Sequence, residues 1–245
     1  MFNFDYIKTS TPGFKPKTPS AALKGIEENL FPVEDFIYLG TSVKPINEKP
    51  YDIDTLERVL AKHNLDIKTY TILNRIFEEL TRSSDQETAL FAAESINLIE
   101  NRYNTKIEDL KEKLEEGEDH ENLLELARTY YEFALLNERK AEIKSFYLRE
   151  SFRYIKKIIS RKKYKKEDIL LLVRVLIELR MYDQAFNILK RVKNETDPMI
   201  LFLKAEVEFH RRRLSEVFQY CIQLTEYGDE LDETMKAILA FWVGF

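Results

Sequence analysis

The placement of proline constrains this 245-residue chain more than any other feature of its sequence. Six of its seven prolines lie at or before residue 50, and Pro198 is the only later one. Proline lacks a backbone N–H and its ring clashes with the preceding helical turn, so helix interiors exclude it. Residues 51–197 can therefore form long helices, whereas residues 1–50 cannot form a continuous one. We predict an all-α protein with an irregular N-terminal arm over residues 1–50.

Apolar residues recur with a helical period from Ile53 onward. The first two apolar faces comprise Leu56, Val59 and Leu60, then Ile72, Leu73, Ile76, Phe77 and Leu80. Ser84 and Glu87 have the spacing of a capping box, which predicts that a third helix begins there. Gly117 is the predicted end of that helix. We interpret residues 51–120 as HEAT-like antiparallel helix pairs.

Small residues recur at matched places in the second half of the chain. Ser151, Ala185 and Val217 are 34 and 32 residues apart, each at a predicted crowded position of a second helix. The matching first-helix positions are Ala127, Val173 and Ala205. A small residue lets two helices approach closely, and a repeat of this length buries its apolar stripe only by stacking on its neighbours. The spacing therefore predicts an α-solenoid of antiparallel helix pairs.

The segments RMYDQAFNIL and RRLSEVFQYCIQL carry this pattern most clearly, and residues 121–226 resemble the tetratricopeptide repeat. Arg180 and Arg212 stand where the consensus of that family has glycine before the turn. The segment ETMKAILAFWVGF is predicted to form a helix that caps the last repeat. We therefore interpret residues 121–245 as tetratricopeptide-like repeats with a C-terminal capping helix.

Composition and motifs indicate a non-catalytic protein. There is no glycine-rich phosphate loop and no GxSxG, and the three histidines are far apart with no HExxH. We therefore assign no catalytic residue, metal or cofactor. The net charge of −5 predicts no general affinity for nucleic acid, and we expect no small-molecule ligand. The first residues lack the apolar core of a signal peptide, and no apolar run is long enough to span a bilayer, so we expect a cytoplasmic protein with no integral membrane segment.

The first candidate site is the groove that the tetratricopeptide resemblance implies. In that family one side of each first helix lines a concave surface that binds other proteins. Carried over by position, that side contains Leu124, Arg128, Tyr131, Leu170, Arg174, Ile177, Glu178, Phe202, Glu206, Phe209 and His210. Arg128 and Arg174, flanked by Tyr131 and Phe209, would suit a peptide with an acidic group and apolar anchors. The alternative is that Leu170, Ile177 and Phe202 belong to the core.

The second candidate site is a basic run around Tyr164. It comprises Lys156, Lys157, Arg161, Lys162, Lys163, Lys165 and Lys166. One interpretation is a solvated loop between helices. The other is a patch for an acidic partner, an anionic ligand such as a nucleotide or nucleic acid, or lipid headgroups. Arg211, Arg212 and Arg213 form a second, shorter cluster at a corresponding turn.

A longer stretch, residues 53–226, resembles the cytoplasmic repeat region of the Pel exopolysaccharide biosynthesis protein E family. The segments that carry the resemblance are ETALFAAESINLIENRYNTKIEDL, LLELARTYYEFALL, FYLRESFRYIKKII, LLLVRVLIELRMYDQAFNIL and FLKAEVEFHRRRLSEVFQYC. The resemblance implies a bacterial scaffold, peripheral to the inner membrane, that assembles membrane-associated polysaccharide synthase components. That family begins with transmembrane helices, which this sequence does not contain.

Overall fold

The computed structural model describes residues 51–62, 65–161, 164–192 and 197–244, so the predicted arm over residues 1–50 lies outside them. These ranges contain α-helices, one short 3-10 turn and no strand, which confirms the all-α class for this part of the chain. The helices are α1 (Ile53–Leu60), α2 (Ile67–Leu80), α3 (Gln86–Glu116), α4 (His120–Leu136), α5 (Ala141–Ser160), α6 (Lys166–Glu178), α7 (Tyr182–Leu189), α8 (Pro198–His210), α9 (Leu214–Thr225) and α10 (Glu233–Val243). Within the described ranges, no helix combines the length and the apolar composition that crossing a membrane requires.

Aspartate side chains cap the beginnings of five helices. Each carboxylate accepts a hydrogen bond from a backbone N–H of the first turn, an arrangement that stabilises a helix by about 1 kcal/mol. The five are Asp66, Asp85, Asp119, Asp197 and Asp232. The cap of α3 differs from the predicted Ser84–Glu87 box, because the Asp85 carboxylate accepts from the Thr88 N–H at 3.0 Å. The predicted end of α3 is confirmed, since the helix stops at Glu116 just before Gly117.

The chain divides into two compact units, residues 1–93 and 94–245. The division falls inside α3, whereas the sequence led us to place boundaries after residues 50 and 120. In the first unit, Leu56 and Leu60 of α1 and Leu73 and Phe77 of α2 are buried. The Phe77 ring meets the edge of Phe91 with centroids 5.8 Å apart.

In the second unit, consecutive helices from α4 to α10 pack on one another. Two further contacts skip a helix, because α4 touches α6 and α6 touches α8. We define three helix pairs as α4–α5, α6–α7 and α8–α9. The first helix of each pair therefore contacts the first helix of the next pair. Side chains from the three pairs can therefore share one surface.

The small residues predicted at the crowded helix crossings are buried. Ser151 and Ala185 are fully enclosed and Val217 nearly so, as are their first-helix counterparts Ala127 and Val173. In the first pair the Ser151 Oγ donates a 2.7 Å hydrogen bond to the Ala127 carbonyl, which joins α5 directly to α4. A larger side chain at any of these positions would push its helix pair apart.

The turns inside the second and third pairs have the same backbone geometry. Arg180 and Arg212 both have φ = 60°, in the left-handed region that favours glycine. The Met181 N–H donates to the Leu176 carbonyl at 2.8 Å, and the Arg213 N–H donates to the Glu208 carbonyl at 3.0 Å. These are the six-to-one bonds of the Schellman motif, which ends α6 and α8. A left-handed conformation costs an L-residue about 1–2 kcal/mol, so each arginine is held against a conformational penalty.

The helix α10 covers the last pair, as the sequence predicted. Leu231, Met235 and Leu239 join a buried cluster with Val217 and Cys221 of α9. Burial raises the pKa of the Cys221 thiol, so this cysteine acts as a small apolar core residue. Trp242 packs on the same cluster, whereas 82% of Phe241 is exposed.

Candidate functional site

The predicted groove residues divide into buried and accessible ones. Leu124 and Ile177 lie in the core with 7% and 6% of their surface exposed, so they have little surface to offer a partner. Phe202 is half-buried and packs on the C-terminal cluster. Phe209 is 49% exposed and meets the edge of Trp242 at 6.1 Å. Its neighbour His210 is exposed and stacks on Tyr182, with centroids 4.7 Å apart and rings nearly parallel.

Three first helices contribute to one polar cluster, which we define as Tyr131 of α4, Lys144 of α5, Arg174 and Glu178 of α6, and Glu206 of α8. Arg174 Nη1 lies 2.5 Å from Glu206 Oε2, and Lys144 Nζ lies 2.6 Å from Glu178 Oε2. All four charged side chains are only partly exposed, which limits solvent screening of these pairs. The structure thus brings together three of the predicted groove residues, Tyr131, Arg174 and Glu178.

The pKa of Tyr131 reflects its burial within the cluster. Its pKa is raised to about 12, mainly because burial disfavours the phenolate. The Glu178 carboxylate raises this pKa further and the Arg174 guanidinium lowers it. Tyr131 therefore remains a neutral hydrogen-bonding group and an apolar surface at any physiological pH.

Arg128 belongs to a neighbouring group on α4. Its guanidinium lies 3.6 Å from Glu125, which also receives a 2.6 Å bond from Lys106 of α3. Glu132 is close to this group, and burial raises its pKa, with Lys106 opposing the shift. Arg128 and Arg174 thus each have a carboxylate partner within the protein. An acidic ligand would have to compete with Glu125 or Glu206 for them.

The basic run is largely paired within the protein where the structure describes it. Glu118 contacts both Lys157, at 2.9 Å, and Arg161. Lys166 contacts Asp197, the cap of α8. Lys156 and Lys165 are exposed, and Lys162 and Lys163 lie outside the described residues. Because three of its cations have carboxylate partners, this run is less positive than its sequence indicates.

Two polar arrangements were missed by the sequence analysis. Asp168 on α6 is fully buried and lies 3.2 Å from His120 Nε2 at the beginning of α4, so the beginnings of two first helices are joined. Glu208 is also buried and lies 2.8 Å from Arg211. The signal for the second was present in the sequence, since a glutamate on the apolar face of a helix just before three arginines requires a cationic partner.

A depression of about 490 Å³ lies where the α6–α7 and α8–α9 turns meet. Its lining residues are Arg180, Met181, Tyr182, Asp183, Gln184, Arg211 and Arg213. Arg211 and Arg213 belong to the second basic cluster of the sequence, and Arg180 stands where the tetratricopeptide consensus has glycine.

Comparison with known proteins leaves the family open. No protein-family model matches the chain, and no curated protein or solved structure is similar enough to count as a match.

Proposed function

We propose that this protein is a non-catalytic helical-repeat scaffold that binds a protein partner through the first-helix surface of α4, α6 and α8. The observation that carries the proposal is the polar cluster, in which Tyr131, Arg174 and Glu206 come from three successive helix pairs. A surface shared by consecutive repeats is how solenoid proteins form extended binding faces. The all-helical fold and the buried small residues at the crossings are consistent with tetratricopeptide-like stacking, which is part of the proposal.

The chemistry of the cluster defines the kind of partner. Arg174 and Lys144 are already neutralised by Glu206 and Glu178, so a ligand must exchange ion pairs rather than fill an empty charged site. An extended peptide with a carboxylate for Arg174 and an apolar side chain for Tyr131 meets this requirement. Exchange of one pair for another favours specificity more than affinity.

The particular role proposed for this scaffold is assembly of a bacterial Pel-type polysaccharide synthase at the inner face of the cytoplasmic membrane. The support for it is the sequence resemblance over residues 53–226.

The test uses charge reversal at the cluster. Arg174→Glu places three carboxylates together and is expected to abolish partner binding. The double variant Arg174→Glu with Glu206→Arg restores an ion pair of reversed polarity, so it recovers stability while still presenting the wrong charge to the partner. Arg153→Glu is the matched control, because Arg153 is an exposed arginine on the second helix α5 paired with Glu150.

The measurement is affinity capture from the native host with quantitative mass spectrometry, followed by titration of the purified captured partner. We expect wild type and Arg153→Glu to capture the same partner and both Arg174 variants to lose it. If all four proteins capture the same set, the first-helix surface is not the binding face. If a specific partner is captured but contains no polysaccharide synthase component, the scaffold role stands and the Pel-type role is wrong.

A further inference from the structure

The depression between the α6–α7 and α8–α9 turns has a positive lining that the proposed scaffold function does not use. It lies against the turns, whereas the polar cluster lies along the first helices. Three of its seven lining residues are arginines, and one, Asp183, is acidic. The buried carboxylate of Glu208 lies beside Arg211. If it is counted with the lining, three arginines and two carboxylates give the depression a net charge of +1.

Arg211 is held in a fixed position within this lining. Its Nη1 donates to Glu208 Oε1 at 2.8 Å, its Nε donates to Asp183 Oδ1 at 3.0 Å, and its guanidinium lies over the Phe186 ring at 4.3 Å. Only 1% of Glu208 is exposed, so this carboxylate anchors the arginine from inside the protein. A guanidinium fixed on three sides loses little conformational entropy when it binds a ligand, and 14% of the Arg211 side chain is exposed.

Arg180 and Arg213 supply charge that the protein does not fully neutralise. No hydrogen bond or ion pair joins the Arg180 side chain to another residue in the ranges that the structure describes. Arg213 is 3.8 Å from Glu208, beyond hydrogen-bonding distance, and more than half of its side chain is exposed. The backbone of Arg180 has φ = 60°, a conformation in which glycine would avoid the steric penalty that a side chain imposes. A strained residue that carries unpaired charge into a depression is typical of a functional position.

We propose that this depression binds the phosphate group of a small molecule, held by Arg180, Arg211 and Arg213. A guanidinium binds phosphate through parallel N–H bonds, and the oxygens of a tetrahedral phosphate can reach guanidinium groups from two different turns. A carboxylate has fewer oxygens and a smaller negative charge than a phosphate, so it offers these arginines fewer charge-assisted hydrogen bonds. The first turn of α7, which no side chain caps, adds backbone N–H groups beside Tyr182. No small-molecule ligand was the leading expectation from the sequence, and an anionic ligand at a basic turn was its alternative.

The two strained arginines provide a matched pair of variants. Arg180→Gly removes a lining guanidinium and at the same time relieves the backbone penalty, so loss of binding cannot be attributed to unfolding. Arg212→Gly makes the same change at the corresponding turn, where the backbone φ is identical but the residue does not line the depression. Asp183→Asn removes the competing carboxylate from the lining and is expected to tighten binding.

The experiment is isothermal titration of the full chain with inorganic phosphate and, separately, with a nucleoside monophosphate, at constant ionic strength set with chloride. We expect saturable binding by wild type, about tenfold weaker binding by Arg180→Gly and unchanged binding by Arg212→Gly. Tighter binding of the monophosphate than of free phosphate would identify a phosphate ester as the ligand, and equal binding would identify free phosphate. The proposal is overturned if wild type shows no saturable binding at about 10 mM of either ligand. Equal weakening in both glycine variants would also overturn it, because that result indicates general charge attraction.

Discussion

Replacing Arg180 or Arg212 with glycine is expected to stabilise the protein, although glycine usually weakens a fold. Both residues have φ = 60°, a conformation that costs an L-residue about 1–2 kcal/mol. Glycine avoids that cost but loses about 0.5–1 kcal/mol more through its greater freedom in the unfolded chain. Neither arginine side chain has a hydrogen bond or ion pair within the described ranges, so its removal costs little. The net gain is about 0.5–1 kcal/mol at each site.

The assay is urea denaturation followed by far-UV circular dichroism, with a thermal melt as a second measurement. A gain of 1 kcal/mol raises the Tm by about 2–4 °C for a domain of this size. Arg180→Ala and Arg212→Ala keep the left-handed strain and are expected to be close to wild type. Lys190→Gly is the opposite control. Lys190 follows the last residue of α7 with φ = −64°, so glycine relieves no strain there and should cost about 0.5–1 kcal/mol through its greater freedom in the unfolded chain.

The result that refutes this reasoning is loss of stability in both glycine variants comparable to that of Lys190→Gly. It would mean that the two turns do not hold their arginines in the left-handed region in solution. Stabilisation by the alanine variants as large as that by the glycine variants would instead show that removal of the side chain, rather than relief of backbone strain, is the cause.

Three further predictions concern polar groups that are buried, as Ser151 and Glu208 are, or partly buried, as Glu132 is. Ser151→Ala loses the hydrogen bond to the Ala127 carbonyl and should lower the free energy of unfolding by about 1 kcal/mol. Ser151→Leu should lower it more, because the larger side chain overpacks the crossing. Urea denaturation compares the two variants, and equal costs would contradict a crowded crossing. Burial raises the pKa of Glu132, so folding is weakened as the pH rises through that pKa. Glu132→Gln should therefore raise the Tm near pH 7 and change it little below pH 4.5, the ordinary pKa of this carboxyl. Thermal melts at both pH values check this. A Tm increase seen only at low pH would contradict a raised pKa for Glu132. Glu208→Ala leaves Arg211 without its buried carboxylate partner and should lower the free energy of unfolding by about 3 kcal/mol. A double-mutant cycle with Arg211→Ala measures the coupling between the two residues, and additive losses would show that they are not coupled.

Much of the helical architecture could be predicted because helix formation depends on nearby residues. The end of α3 at Gly117 and the helix over ETMKAILAFWVGF follow from local apolar spacing and helix-ending residues. The cap of α3 was misplaced by one position because Ser84 and Asp85 are both good capping residues, and sequence spacing alone does not choose between them. The crossings at Ser151, Ala185 and Val217 were also recognisable, since only a small residue fits where two helices approach closely.

The candidate surface could be predicted only in part. The resemblance to the tetratricopeptide pattern led to Tyr131, Arg174 and Glu178, which the structure brings together. It did not separate Leu124, which is buried, from Phe209, which is half-exposed, because both lie on the same side of their helices. Which of them is covered depends on the neighbouring helix and on α10.

The sequence by itself determined that the chain from Ile53 onward is helical, that one helix ends before Gly117 and that Ser151, Ala185 and Val217 are enclosed. These properties follow from helical periodicity, side-chain volume and backbone sterics within a few residues. Only the tertiary structure decided which charges are neutralised. Arg174 pairs with Glu206 across 32 residues and Lys157 with Glu118 across 39, while Arg180 is left without a carboxylate partner in the described ranges. Such pairing depends on distances between helices, since the attraction between two charges is decided by their separation and solvent exposure rather than by their spacing along the chain.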